Sequence, residues 1–188
     1  MSERPTLDPC VQAAVITLSD KASEGLRQDA SGPLLCELLR DMGAEVGEPN
    51  VIPDEQSELE RLLTFLCDEG GVDLILTTGG TGLSSRDRTP EATLAVADRL
   101  APGFAEAMRA ASLAITPHAM LSRATSAVRK RTLIVNMPGS PKACREHFAV
   151  IAPALQHAVE TLRGEAYECA QPVAESADGT EELGEQSS

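Results

Sequence analysis

Short apolar segments without polar alternation constrain the fold of this chain more than any other feature. Residues 11–18 (VQAAVITL) and 73–77 (DLILT) are almost uniformly apolar, which is typical of strands that are covered by helices on both faces. Residues 45–52 form a second strand-like segment between them, and the helix that follows carries leucines at i, i+3, i+4 and i+7 from Leu59. This alternation of strand and helix predicts a parallel sheet with right-handed crossovers.

The remaining elements are predicted from prolines at helix starts and from further apolar runs. They are a helix from Asp29 or Ser31 to Gly43, helices that open at Thr89 and Pro102, strands at 124–130 and 132–136, and a helical region at about 142–163. The helix at Thr89 is expected to run through Arg99. Pro153 is expected to bend or restart the last helix, because proline lacks a backbone donor.

The net charge argues against a nucleic-acid-binding function. The 188 residues, 42% of them hydrophobic, are enough for one domain with a buried core, and their formal charge is -13. From Gln171 on the chain has five acids and no base, which leaves 16 minus 24, or -8, for residues 1–170. A negative surface argues against non-specific nucleic-acid binding, which depends on Lys and Arg.

One basic cluster, Arg123 with residues 129–131, either faces a polyphosphate or lies at the surface.

Cysteine usage and hydropathy predict a cytoplasmic protein. The five cysteines are odd in number and form no CxxC pair, so reduced, mostly packed thiols are expected rather than a disulfide framework or a zinc site. No apolar run reaches 18 residues, and the first residues lack a basic stretch followed by an apolar one, which argues against a membrane span or signal peptide. His147 and His157 are predicted to lie on solvated helix surfaces.

Polar or glycine-rich turns follow four of the predicted strands, at residues 19–20, 53–54, 77–87 and 136–141. In a parallel sheet the carboxyl ends of the strands meet at one edge, which is where ligands bind. The glycines of the third turn let backbone N–H groups approach a phosphate closely. The turn matches neither the Walker A nor the GxGxxG pattern. From the residues alone, the third and fourth turns can be either ligand-binding loops or simple turns.

Asp54 and Asp87 follow neighbouring strands and are the candidate metal ligands. Two carboxylates in such positions can hold Mg²⁺ against phosphate oxygens in phosphoryl or nucleotidyl transfer. Each also has a purely structural interpretation. Asp54 can cap the helix that contains Leu59, and Asp87 can pair with Arg86 or Arg88.

Eight sequence blocks occur in an order that is typical of one enzyme family. They are ITLSD (16–20), DASGP (29–33), IPDE (52–55), TTGGTG (77–82), RDRTPEAT (86–93), PGF (102–104), MLSR (120–123) and NMPGSPKA (136–143). Together they resemble the molybdopterin adenylyltransferases of molybdenum-cofactor synthesis, a family that includes the G domains of gephyrin-type proteins. The likeness covers about residues 10–165. It predicts a short extension at 1–10, a molybdopterin- and nucleotide-binding catalytic domain at 11–165 and an acidic, disordered tail at 166–188.

The resemblance implies a fold and a reaction. The implied fold is α/β, a three-layer α/β/α sandwich with a mostly parallel five-stranded sheet, assembled as a homotrimer. The implied reaction is Mg²⁺-dependent: molybdopterin and ATP give adenylylated molybdopterin and pyrophosphate. The pterin phosphate attacks the α-phosphorus of ATP, so the protein has to align two anions and offset their charge. The expected partners are these small molecules and the downstream molybdenum-insertion protein, with neither nucleic acid nor membrane.

The resemblance also assigns roles to residues at matching positions. Asp54 and Asp87 are implied as the catalytic acidic pair and as the magnesium ligands. Residues implied to bind the substrates are Ser19, Asp20, Asp29, Thr78, Gly79, Gly80, Thr81, Gly82, Ser122, Asn136, Pro138, Gly139 and Ser140.

Two other functions are compatible with these motifs. One is a non-catalytic carrier trimer that binds molybdopterin without adenylylating it, against which the acidic pair argues. The other is an enzyme of the related competence-damage type, for which GGLGP followed by adjacent acids is expected, whereas residues 79–87 read GGTGLSSRD. The sequence does not distinguish a molybdenum from a tungsten pathway.

Overall fold

A mixed sheet lies between two layers of helices in the computed structural model, which describes residues 5–165. The strands are β1 (Gln12–Leu18), β2 (Glu45–Val46), β3 (Asn50–Ile52), β4 (Leu74–Thr78), β5 (Arg99–Leu100), β6 (Ser126–Arg129) and β7 (Thr132–Met137). The helices are α1 (Asp20–Ser23), α2 (Ser31–Asp41), α3 (Gln56–Asp68), α4 (Thr89–Val96), α5 (Gly103–Leu113) and α6 (Pro141–Arg163), with a 3-10 helix at Pro117–Leu121. The expected three-layer α/β/α sandwich is confirmed.

The sheet has the strand order β2-β1-β4-β7-β6-β5, and β3 also pairs with β1. β1 is parallel to β2, β3 and β4, and β4 is parallel to β7. β5, β6 and β7 pair antiparallel. The mostly parallel sheet is therefore confirmed, and its antiparallel strands lie at one edge.

One strand prediction and one helix prediction were wrong in detail, and the described residues form seven strands rather than five. The predicted strand at 45–52 is divided into β2 and β3 by a segment that contains Pro49; proline has no N–H to donate to a sheet ladder. The helix that opens at Thr89 ends at Val96 rather than Arg99. The residues beyond it form β5, which pairs with β6.

The central strands are buried on both faces. Val15, Leu76 and Val135 lie in one core cluster with side chains of α2, α5 and α6. Ile16 and Ile75 lie in the other, with side chains of α3 and α4. Burying one such side chain fully is worth about 1.5–3 kcal/mol, and helices cover both faces, so the strand ends are left to bind ligands.

The last helix is continuous through Pro153 and does not restart there. Pro153 and Ala149, whose carbonyl loses its helical donor, both lie on the exposed side of α6. Water can satisfy a carbonyl in that position, so the proline is tolerated. No helix within residues 5–165 is long and apolar enough to cross a membrane.

Part of the N-terminal segment packs against the core. Leu7, inside the predicted extension at 1–10, is buried, and its N–H donates to the carbonyl of Met42 at 2.6 Å. The predicted tail at 166–188 lies outside the described residues.

The predicted basic cluster is divided between two edges of the sheet. Residues 129–131 lie at the turn between β6 and β7, opposite the carboxyl ends of the parallel strands. Arg129 is bound there by Asp68, with Nη2 2.6 Å from Oδ2. Arg123 lies instead beside the glycine-rich turn, where its Nε donates to the carbonyl of Gly82 at 2.7 Å.

Candidate functional site

The carboxyl ends of β1, β3, β4 and β7 lie side by side, and the turns that follow them are in contact. The N–H of Ser19, after β1, donates to the carbonyl of Ile52 at the end of β3 at 3.0 Å. Thr78 Oγ1, at the end of β4, donates to the carbonyl of Pro138, after β7, at 2.7 Å. The four turns predicted from the sequence therefore form one continuous surface.

Asp20 and Asp54 hold each other in place by reciprocal hydrogen bonds. The N–H of Asp20 donates to Oδ2 of Asp54 at 3.1 Å, and the N–H of Asp54 donates to Oδ1 of Asp20 at 2.9 Å. The side chain of Asp54 does not cap α3, and its Oδ1 accepts no hydrogen bond from the described residues. Burial raises the pKa of Asp54, and the nearby charges of Asp20 and Asp87 raise it further, while the N–H of Asp20 and the Arg86 charge oppose this.

Asp87 lies in a tight turn close to this pair. Its Oδ2 accepts the N–H of Ser84 at 2.8 Å, and its own N–H donates to the carbonyl of Ser84 at 3.0 Å. The carboxylate pairs with neither Arg86 nor Arg88, because Arg86 binds Asp20 and Glu55 instead. Oδ1 of Asp87 is left without a hydrogen bond within residues 5–165, so it can accept a ligand.

The glycine loop, residues 79–82, approaches its neighbours more closely than a side chain would allow. Gly79 and Gly80 have φ angles of 97° and 63°, which favour glycine. A Cβ on Gly79 would lie 2.3 Å from the carbonyl oxygen of Leu18. Thr89 fixes the loop from the far side, with Oγ1 donating to the carbonyl of Gly79 at 2.9 Å. The loop is therefore a rigid backbone turn beside β1.

A cavity of about 240 Å³ opens where the turns meet. Ser19, Thr78, Gly79 and Gly139 line it, together with the N-terminal residues Ser31 of α2 and Pro141 of α6. Helix N-termini carry partial positive charge, which favours anionic groups. At α2 the carboxylate of Asp29 already accepts two of the N–H groups, so the start of α6 and the glycine loop are left to bind an anion.

A second cavity, of about 330 Å³, adjoins the other part of the glycine loop. Thr81, Gly82, Ser122 and Pro138 contribute to its wall, and the rest comes mainly from α5, α6 and the 3-10 helix. The glycine loop therefore takes part in both cavities.

Several of the implied substrate-binding residues have side chains that the fold already uses. Asp29 accepts the N–H groups of Ser31 and Gly32, both at 3.0 Å, and the hydroxyl of Thr17 at 2.7 Å. It therefore satisfies the start of α2, although it also lines the first cavity.

Asn136 is fully buried. Its amide donates to Thr77 Oγ1 at 3.0 Å and to Thr93 Oγ1 at 2.9 Å, while its oxygen accepts the N–H of Thr125 at 3.3 Å. Asn136 thus ties β7 to β4 and α4 beneath the site rather than facing a cavity. Ser140 is exposed and caps α6 through the N–H of Ala143 at 3.2 Å.

A profile of the family described as "Probable molybdopterin binding domain" matches residues 14–157. The chain belongs to this family. It is also 40% identical, over 156 residues, to the molybdopterin adenylyltransferase of Helicobacter pylori strain 26695, covering 82% of this chain and 89% of that protein. Its identity to the molybdopterin adenylyltransferase of Escherichia coli K12 is 47% over 138 residues, covering 72% and 71%.

Structural similarity agrees with this assignment. The molybdopterin biosynthesis enzyme MoaB from Thermus thermophilus superimposes with a TM-score of 0.78 at 44% identity, covering 84% of this chain and 99% of that chain. The family resemblance found in the sequence is therefore confirmed.

The sequence indicated no specific role for Arg123 in this molybdopterin-binding domain. Besides its bond to Gly82, its guanidinium donates to the carbonyl of Asp87 and binds the carboxylate of Glu91, and its own N–H donates to the carbonyl of Thr81 at 2.9 Å. Arg123 therefore braces the loop from Thr81 to Asp87. The sequence signal that could have pointed to Arg123 was its place in the MLSR block at 120–123.

The prediction for His147 was wrong, because this side chain is 7% exposed and contacts α5 from its place on α6. Its Nε2 lies 2.5 Å from Ser112 Oγ, and its buried Nδ1 has no hydrogen-bond partner within residues 5–165. Burial lowers its pKa below the ordinary 6.5. The fold therefore favours the neutral form of the His147 imidazole.

Acidification should destabilise the molybdopterin-binding domain through His147. The unfolded chain binds this proton more readily than the folded one, so stability that is present above pH 6.5 is lost as the pH falls below it. The loss is up to about 1.4 kcal/mol per pH unit until the lower folded pKa is reached. In urea unfolding at a series of pH values below 6.5, H147Q should reduce the slope of the unfolding free energy against pH. H157Q, which changes an exposed histidine of the same helix, should retain it; equal slopes in both variants would contradict this role.

The acidic pair of the molybdopterin-binding domain fits a magnesium ion that is shared with a phosphate ligand. Within residues 5–165, no group of three or more His, Cys, Asp or Glu side chains is arranged to hold a metal ion. Asp54 and Asp87 instead offer one free oxygen each. Mg²⁺ in nucleotide sites is commonly bound by one or two carboxylates, substrate phosphates and water.

Proposed function

We propose that this domain is a molybdopterin adenylyltransferase, which transfers AMP from ATP to the molybdopterin phosphate with Mg²⁺ and releases pyrophosphate. The observation that carries the proposal is that Asp54, Asp87 and the glycine loop lie close together at one edge of the sheet, where the charge of Asp87 acts on Asp54 and the Asp87 carboxylate lies beside Gly82. The relatives named molybdopterin adenylyltransferase support it, at 40% and 47% identity over most of the chain. Two adjoining cavities also suit a reaction between two substrates.

Transfer of a nucleotidyl group between phosphates requires alignment and charge compensation rather than a covalent protein nucleophile. An oxygen of the pterin phosphate attacks the α-phosphorus of ATP, the bond from this phosphorus to the bridging oxygen breaks, and pyrophosphate leaves. Backbone N–H groups of the glycine loop and of the first turn of α6 bind phosphate oxygens. Because the loop is held by Thr89 and Arg123, these donors are positioned before the substrates arrive.

Asp54 and Asp87 are the proposed magnesium ligands. When bound, Mg²⁺ offsets the negative charge that the two substrates bring together. Asp20 takes part indirectly, because its N–H fixes Oδ2 of Asp54 and leaves Oδ1 for the metal. Asp54 must be ionised in this role, although its surroundings raise its pKa.

The proposal includes a homotrimer in the cytoplasm, with the downstream molybdenum-insertion protein as the recipient of the product. Ile115, Met120 and Leu121 on or beside the 3-10 helix are 69%, 68% and 50% exposed, and subunit interfaces commonly cover apolar surface of this kind. Light scattering should give a mass three times that of the 19.8 kDa chain. A monomeric mass would contradict the trimer.

The enzymatic proposal is tested by mixing the protein with molybdopterin, ATP and Mg²⁺. We expect pyrophosphate and an adenylylated pterin, detected by mass spectrometry, and no product when molybdopterin is omitted. Tight pterin binding without product would identify the carrier function instead. Neither binding nor product would refute both.

A further inference from the structure

Arg86, in the exposed part of the turn after β4, is bound by two carboxylates from other turns. Its Nη2 lies 2.8 Å from Oδ1 and 3.0 Å from Oδ2 of Asp20, and its Nε lies 3.3 Å from Oδ2. Its Nη1 lies 2.8 Å from Oε1 of Glu55. Asp20 follows β1 and Glu55 follows β3, so a single guanidinium joins three of the four turns.

Arg86 contacts neither proposed magnesium ligand directly but is linked to both, to Asp54 through Asp20 and to Asp87 through the chain. Asp20, which Arg86 holds, exchanges two hydrogen bonds with Asp54. Asp87 is the next residue after Arg86 and is fixed in its turn by Ser84. Arg86 therefore ties the turn that carries Asp87 to the Asp20–Asp54 pair.

The charges around Arg86 are unbalanced. Asp20, Asp54, Glu55 and Asp87 bring four carboxylates to this edge, and Arg86 binds two of them directly. Its side chain is 51% exposed, so its ion pairs can open without unpacking the core. A divalent cation is the other group that can neutralise such a cluster.

We propose that Arg86 is a positioning residue, which aligns Asp54 with Asp87 and serves as the counter-cation of this acidic cluster until a divalent cation binds. The proposal rests on the proposed function: the counter-cation role takes Asp54 and Asp87 as metal ligands, and the alignment role also takes adenylyl transfer as the reaction. Arginine suits the role because its planar fork contacts both oxygens of Asp20 and also reaches Glu55, which the single ammonium of lysine cannot reproduce.

Binding of Mn²⁺ to the protein alone, followed by electron paramagnetic resonance without nucleotide, tests the counter-cation role. R86Q should bind Mn²⁺ about fivefold more tightly than the unaltered protein, because the competing positive charge is gone. R86K should stay within about twofold of the unaltered protein. R88Q is the matched control, since it removes a neighbouring charge that makes no contact with Asp20 or Glu55, and should shift the affinity by less than about twofold.

Steady-state adenylyl transfer tests the alignment role. R86Q and R86K should each lower kcat about tenfold, because neither restores the paired contacts to Asp20. The carboxylates can then still bind a cation, but they no longer hold it in line with the substrate phosphates. In R86Q the KM for Mg²⁺ should fall together with kcat, whereas general loss of structure would not make the metal bind more tightly. R88Q should keep both constants.

Unchanged or weaker Mn²⁺ binding in R86Q would overturn the counter-cation role, and an unchanged kcat would overturn the alignment role. Tighter Mn²⁺ binding in R86Q, with no adenylyl transfer by the unaltered protein, would refute the proposed function and support the counter-cation role. Circular dichroism checks folding. If R86Q does not fold, R86K tests the alignment role: kcat should fall while the Mn²⁺ affinity stays nearly unchanged.

Discussion

Replacing Asp87 by asparagine should lower kcat/KM for adenylyl transfer about 10³-fold while leaving the fold intact. Oδ2 of Asp87 accepts the N–H of Ser84 at 2.8 Å, and the amide oxygen of asparagine can accept the same bond. The turn should therefore persist. The substitution removes the negative charge and the free Oδ1 that we assign to Mg²⁺. A 10³-fold loss corresponds to about 4 kcal/mol of transition-state stabilisation.

Initial rates and pterin binding together check this expectation. The affinity of D87N for molybdopterin should change little, because the cavities and the glycine loop are unaltered. D41N is the matched control, since Asp41 is an exposed acid at the end of α2 that makes no side-chain hydrogen bond or ion pair with the described residues. It should retain the full rate. A near-normal rate in D87N would show that the catalytic assignment is wrong.

The elements that the sequence predicted correctly are those with a strong burial pattern of their own. β1 and β4 are buried along almost their whole length, and the leucines of α3 recur at helical spacing. β5 was missed because both of its residues are exposed, so pairing with β6 defines it rather than its composition. The division of the predicted strand at 45–52 has a similar cause, because β2 and β3 are short edge strands with no buried residue.

At the site, the sequence predicted which turns meet but not the contacts among them. Parallel strands bring their carboxyl ends to one edge by topology, which general rules anticipate. The bond between Arg86 and Asp20 joins residues that are 66 positions apart, and no local pattern predicts such a pair. For His147 a signal did exist. It lies three residues after Cys144 and four before Ile151, on the buried face of α6.

Replacing Gly79 by alanine should lower the free energy of unfolding by about 3 kcal/mol. Its φ angle of 97° already strains a residue with a side chain. The new Cβ would also lie 2.3 Å from the carbonyl oxygen of Leu18. Leu18 ends a central strand and pairs with Ile52 of β3, so its backbone cannot move away from the new Cβ without disturbing the sheet. Relief therefore requires the glycine loop itself to move.

Gly71 provides the matched control for this substitution. It also has a positive φ, 64°, but no atom lies within 4 Å of the position that an added Cβ would take. G71A should therefore cost only the backbone strain, about 1 kcal/mol, and the excess loss in G79A, about 2 kcal/mol, measures the close approach to β1. Urea unfolding of both variants gives this difference, and equal losses would show that the loop yields freely. Because we assign phosphate binding to N–H groups of the same loop, G79A should lose adenylyl transfer even at temperatures where it remains fully folded.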